Sequence, residues 1–270
     1  MAFSVLLSVY KKENADFLRA SLQSVYVQTT LPDEVIVVED GPLTPELYKV
    51  LDDFSFKSKG FKRVKLKTNS GLGIALNTGL EHCSNDIIAR MDTDDIAKPD
   101  RFAKQLAVFE KNPNVGIVSS WIDEFVDAPR NVVSTRKLPQ FHKEIVKYAK
   151  SRCPINHPAV MFRKSEVMAA GGYKPFPLFE DYYLWVRMLL NGTIFYNIPE
   201  RLLYFRTSDD MYKRRGGLKH ALDEIRFQSF MHKSGFISFP RYLLNISQRF
   251  IVRIAPNRVR ALIYHKLLRK

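Results

Sequence analysis

Three aspartates stand within four residues at Asp92-Thr93-Asp94-Asp95, directly after the apolar run Ile87–Ala89 and just before a helix opened by Pro99. Carboxylates this close repel one another unless something cationic sits among them. A divalent ion is the natural occupant: hard Mg²⁺ or Mn²⁺ prefers carboxylate and phosphate oxygen, and binds through one or two protein carboxylates plus the phosphates of its ligand. Acidic turns also occur without metal, and it is the position at the end of a buried strand that favours the metal reading.

Four further groups carry chemistry. Glu39-Asp40-Gly41 ends an earlier apolar run, where the Asp40 carboxylate can accept hydrogen bonds from a base or ribose. Asn69-Ser-Gly71-Leu-Gly73 is a Gly-rich turn opening a helix, whose free N–H groups and positive dipole end suit a phosphate or a sugar. It matches neither the dinucleotide nor the P-loop fingerprint. Glu180-Asp181 stands at a helix start with Tyr182, Tyr183 and Trp185 one turn on. A carboxylate there can cap the helix or take the proton of an attacking sugar hydroxyl, and Trp185 can stack on a sugar ring or join the core. The fifth group is His157, before the strand ending at Arg163, either structural or catalytic.

These residues need a scaffold that brings strand ends together. Runs rich in Val and Ile at Phe3–Tyr10, Glu34–Glu39, Arg63–Leu66, Asp86–Met91 and Val115–Ser119 alternate with helical periods at about 14–27, 44–55, 72–83 and 100–111. The alternation predicts an α/β fold, a mostly parallel sheet with helices on both faces and ligands at the carboxyl ends of the strands. Beyond residue 120 we expect a helix near 141–150, a strand at Ala159–Arg163, a helix at 180–191 and two strands at 193–206. The expected organisation is a catalytic domain over 1–206, a mobile loop over 207–217 and a basic helical extension over 218–270.

Composition narrows the function classes. At 270 residues with 46% hydrophobic content the chain can bury a core. The two cysteines, Cys83 and Cys153, lack metal or disulfide spacing. Met1–Tyr10 lacks the basic n-region and cleavage site of a signal peptide and no apolar run is long enough for a transmembrane helix, so a cytoplasmic location is expected. The net charge of +14 is concentrated at the end: no acidic residue follows Glu224, whereas ten Lys and Arg do, interleaved with Phe, Leu, Ile and Tyr. Such a tail suits an anionic membrane surface; the alternatives are a solvated basic face and nucleic-acid binding, and no nucleic-acid partner is expected.

Taken in order, the opening strand Ser4–Tyr10, Glu39-Asp40-Gly41, Asn69-x-Gly-Leu-Gly-x-x-x-Asn77, Asp92-x-Asp94-Asp95, the His157-to-Arg163 strand and Glu180-Asp181 resemble the family 2 glycosyltransferases, GT-A fold enzymes common in bacterial O-antigen and polysaccharide synthesis. The resemblance covers roughly residues 3–206. It implies that Ser8, Tyr10, Asp40, Asn69, Gly71 and Asp92 bind the nucleotide sugar, with Asp40 on the base. It also implies that Asp94, with Asp92, holds Mn²⁺ or Mg²⁺, that Asp181 beside Glu180 is the general base, and that His157 and Trp185 meet the acceptor. The reaction implied is an inverting, metal-dependent transfer of one sugar, galactose or glucose, from a UDP-sugar. Its acceptor would be an undecaprenyl-diphosphate-linked saccharide on the inner face of the membrane.

Two departures matter. Many members carry Tyr-Arg-x-His near the end of the fold, where this chain reads Tyr204-Phe205-Arg206-Thr207-Ser208, so Arg206 or the Arg214-Arg215 pair is expected to contact phosphate in place of a His ligand. The Gln-x-x-Arg-Trp motif of processive synthases is missing, which implies one sugar per encounter. A nucleotidyltransferase is the rival enzyme, but the glycine-rich basic loop it needs after the first strand is replaced by Tyr10-Lys11-Lys12-Glu13.

Overall fold

A computed structural model of the chain describes residues 1–58, 60–207 and 218–254. Its centre is strand β1 (Ser4–Val9), flanked in parallel by β2 (Glu34–Glu39) and β4 (Ile87–Arg90), with β3 (Phe61–Lys65) outside β2. The apolar runs of β1 and β2 are nearly unbroken because both faces are covered. Val5, Leu7, Val9, Val35 and Val37 face one core, and Leu6, Ile36 and Val38 the other.

Helices α1 (Ala15–Tyr26), α2 (Pro45–Lys57) and α4 (Arg101–Lys111) cover the first face through Leu18, Leu22, Leu47, Leu51, Phe102 and Phe109. The second face is covered by α3 (Leu72–His82), α5 (His142–Ala149), α6 (Lys164–Ala169) and α7 (Glu180–Leu190). Asn14 caps α1, accepting from the N–H groups of Asp16 and Phe17, and Thr44 caps α2, accepting from Leu47.

Past β4 the sheet turns mixed. β8 (Met161–Arg163) runs antiparallel to both β4 and β6 (Val115–Phe125), β9 (Ile194–Arg206) runs parallel to β6, and the short β5 (Ile96–Ala97) and β7 (Val132–Arg136) pair antiparallel at the margins. The two strands expected at 193–206 are one. Pro199 lacks an N–H for the ladder, and the strand absorbs it by shifting register from Ile198 opposite Ser120 to Arg201 opposite Trp121 instead of stopping.

Helix α8 (Leu218–Lys233) is not a free extension. Its Phe227 and Met231 share a core with Phe179, Tyr182 and Val186 around α7. The next helix, α9 (Phe239–Ile254), begins on the same support: Tyr242 packs there, and Asn245 donates to the Lys150 carbonyl and to the Gln228 side chain, each at 2.8 Å. Thr207 is buried and its N–H donates to Phe125 O, whereas 208–217 of the expected mobile loop and 255–270 of the basic tail lie outside the described residues.

Candidate active site

The strand order β3-β2-β1-β4 places the next chain segments after β1, β2 and β4 side by side at one sheet edge. The chain passes from β1 to β2 and β3 on one side and then crosses to β4 on the other side of β1, and this reversal of strand order opens the crevice where α/β sheets take ligands. A cleft of about 290 Å³ lies at this point, lined by Ser8, Tyr10, Glu13, Asp40, Asn69, Gly71, Leu72, Asp92, Thr93 and Asp94. Tertiary structure thus brings seven of the sequence-predicted residues together, from four separate segments. A larger open depression of about 830 Å³ sits over β5, β6, β7 and β9, walled by paired charges such as Lys98 with Asp123, and contains none of them.

Each wall has a physical cause. The buried Asp40 carboxylate accepts from the N–H groups of Ser70 (2.6 Å) and Gly71 (3.0 Å) and from Asn69 Nδ2 (3.1 Å), so it builds the Asn69–Gly71 turn as well as facing the cleft. Gly71 sits at φ +89° and opens α3 without a side-chain cap, leaving the helix start uncovered at the cleft. Glu13 closes the opposite side, accepting from Thr93 Oγ1 at 2.5 Å.

The three aspartates of the acidic turn are in unlike surroundings, although their oxygens lie within 4.8 Å of one another. Asp92 is clamped by both terminal nitrogens of Arg90, a side chain only 2% exposed. Asp95 is fully buried: Oδ1 accepts from the Arg206 N–H at 2.9 Å, and Oδ2 has no hydrogen-bond partner among the described residues. Burial, then the charges of Asp92 and Asp94, raise its pKa well above the usual range. Asp94 faces the cleft, and among the described residues no Lys or Arg forms an ion pair with it. Burial and the charges of Asp92 and Glu13 push its carboxyl up to about 7. The donor set of hard carboxylate oxygens fits Mg²⁺ or Mn²⁺.

Behind the cleft, His157, Tyr173, Trp185 and Asp181 form a second group. His157 Nε2 lies 2.9 Å from the Tyr173 hydroxyl, and its ring meets Trp185 edge-on. Burial, then the charge of Arg90, hold His157 neutral. Asp181 has a raised pKa, chiefly from burial, and its Oδ2 is 3.7 Å from Cys153 Sγ. Glu180 is half-buried against the first turn of α3, and its pKa is also raised by burial.

Trp185 corrects an expectation: at 0% exposure it packs between α7 and the sheet with Phe195, so it offers no face to an acceptor sugar. Arg206 is also differently engaged. Its guanidinium stacks over Phe17 and Phe125 while Nε and Nη1 donate to the carbonyls of Asp94 and Asp127, which makes it a buttress of the acidic turn. Sequence reasoning missed Arg90, Glu13, Leu72 and Tyr173. Only Arg90 carried a local signal, a basic residue two positions before Asp92.

Comparison with known proteins follows the same lines. The family model described as glycosyl transferase family 2 matches residues 4–168. A UDP-Gal:alpha-D-GlcNAc-diphosphoundecaprenol beta-1,3-galactosyltransferase of Escherichia coli is 42% identical, over 99% of this chain and 97% of its own. The amylovoran biosynthesis glycosyltransferase AmsE of Erwinia amylovora is 36% identical over 98% of each chain. Among solved structures, a mannosyltransferase of Pyrobaculum calidifontis in complex with GDP-Man and Mn²⁺ superposes with a TM-score of 0.65 at 17% identity, covering 92% of this chain and 69% of its own.

Proposed function

The chain belongs to glycosyl transferase family 2 and is a glycosyltransferase of GT-A fold, and from that premise we propose that it moves a single hexose, galactose or glucose, from a UDP-sugar to an undecaprenyl-diphosphate-linked saccharide. The observation that carries this reading is the convergence of Asp40, the Asn69–Gly71 turn, Asp92 and Asp94 on one cleft. The galactosyltransferase relative, aligned over nearly the whole of both chains, supports the donor and the lipid-linked acceptor.

In this reading Asp40, Ser8 and Tyr10 take the base and ribose side of the donor, and the start of α3 lies toward its anionic part. Asp94 holds the divalent ion beside Asp92. When bound, Mn²⁺ or Mg²⁺ supplies charge neutralisation of the leaving diphosphate. Asp181 accepts the proton of the acceptor hydroxyl as its oxygen forms the new bond to the anomeric carbon and the bond to UDP breaks, inverting the configuration. Its raised pKa brings the base nearer to the operating pH. Glu180 and His157 face the acceptor, His157 as a neutral ring oriented by Tyr173. Among the described residues no helix is long and apolar enough to cross a membrane. Residues 225–270 would attach the protein peripherally to the anionic inner face.

The test is a transfer assay with Mn²⁺. Nucleotide sugars are paired with the undecaprenyl diphosphate of N-acetylglucosamine, and product configuration is read by NMR. Galactosyl or glucosyl transfer from the UDP-sugar with inversion is the expected result. Transfer only from a non-uridine donor, or a retained configuration, would refute the corresponding part.

A further inference from the structure

The turn leading into α7 carries an anomaly. Phe179 N–H donates to Phe176 O at 2.8 Å, closing a four-residue turn with Pro177 second and Leu178 third. Leu178 has φ +69°, a left-handed value that this turn position ordinarily assigns to glycine or asparagine. The strained residue is also 54% exposed, so a large apolar side chain is held in water by backbone that would relax with glycine.

Its location gives the anomaly a use. Leu178 stands two residues before Glu180, the half-buried acid beside Asp181. A methyl group built on Gly73 would lie 3.7 Å from Tyr173 Cβ and 3.9 Å from Glu180 Cγ, so the first turn of α3 abuts this same segment. That helical turn exposes Leu72 (43%) and Ile74 (46%), whereas Leu76 and Leu80 further along are buried. Leu72 lines the cleft. Leu72 thus lies at the donor cleft and Ile74 on the same exposed helical turn, and that turn approaches Glu180, two residues beyond the exposed Leu178.

Resting on the acceptor assigned above, we infer that Leu178, with Leu72 and Ile74, forms an apolar lip that takes the first isoprenoid units of the polyprenyl diphosphate acceptor. The reactive hydroxyl must lie between Asp181 and the donor, so the diphosphate and its hydrocarbon chain leave the site over its rim. A rim of exposed Leu and Ile lowers the cost of keeping that hydrocarbon beside a polar cleft.

Leu178→Gly separates the alternatives because it suits the backbone and removes only the side chain. With the undecaprenyl acceptor its KM rises about tenfold, the scale of losing one apolar contact. KM for the short-chain diphosphate analogue, KM for the UDP-sugar and donor hydrolysis stay at wild-type values, and Tm is unchanged or higher. Ile74→Gln, on an exposed helical position, moves acceptor KM in the same direction. Equal KM changes on both acceptors, or none on either, would overturn the lip. A shift in sedimentation without a KM change would assign the patch to self-association instead. Wild-type protein that transfers to neither acceptor would remove the underlying acceptor reading, a result read before any variant is made.

Discussion

Asp94 and Asp92 differ in one respect: Arg90 is paired with Asp92, whereas among the described residues no ion pair is made to Asp94. With its carboxyl at about 7 in the fold against 3.8 for the free group, metal-free protein binds a proton there that the unfolded chain has released. This contribution to stability is complete below about pH 4 and is lost as pH rises through about 7. Glu34, lowered to about 2, works in the opposite sense and only below about pH 4.5. Asp94→Asn should therefore flatten the fall of Tm between pH 4 and 7 and abolish the rise of Tm that Mn²⁺ produces at about pH 7.5, together with transfer. Thermal scans with and without EDTA read this directly; Mn²⁺ raising Tm equally in the variant would remove Asp94 as ligand. Asp181→Asn keeps its shape but cannot accept a proton. Turnover should fall by roughly 10² to 10⁴ with donor KM nearly unchanged, and near-normal turnover would return Asp181 to a helix-start role.

At the scale of elements, the donor wall depends on how closely the segment after β2 approaches the turn before α3. Gly41 sits at φ +82°, and a methyl group there would meet the Asn69 nitrogen at 2.6 Å and the Thr68 carbonyl carbon at 2.9 Å. Both neighbours are backbone, so neither can rotate away. Gly41→Ala should lower stability by about 1–3 kcal/mol and raise donor KM, because the Asn69–Gly71 turn moves off the Asp40 carboxylate that organises it. Differential scanning calorimetry and donor kinetics check the pair of effects; a Tm loss without a donor effect would mean that the turn does not contact the nucleotide. Asp40→Ala should likewise weaken the donor more than it slows chemistry.

Across the whole molecule, the C-terminal region divides by what its side chains touch. Phe227, Met231, Tyr242 and Asn245 belong to the core around α7, whereas Phe239, Leu243 and Leu244 are exposed on α9. Removing residues 249–270 should leave Tm within about 1 °C while releasing the protein from anionic vesicles and impairing transfer to the long-chain acceptor. A cut after residue 238, which strips Tyr242 and Asn245 from their partners, should lower Tm and depress donor hydrolysis as well. Flotation with phosphatidylglycerol vesicles and calorimetry distinguish the two; equal thermal losses from both cuts would make the tail a packing element.

Residue order along the chain sufficed for the alternating strands and helices of the first half, since hydrophobic period is a local property. It also sufficed for the acidic strand ends, because a sheet buried on both faces tolerates charge only where its strands finish. What it left open depended on neighbours distant in sequence. Trp185 has the same helical spacing whether it faces a sugar or the sheet, and packing against Phe195 decided for the sheet. Asp92, Asp94 and Asp95 are chemically alike in one dimension; the side chain of Arg90, the burial of Asp95 and the backbone of Arg206 make them a paired, an open and a sealed carboxylate. The positive φ of Leu178 and the core shared by α7 and α8 had no local signature either, because each is set by contacts that exist only once the chain has closed on itself.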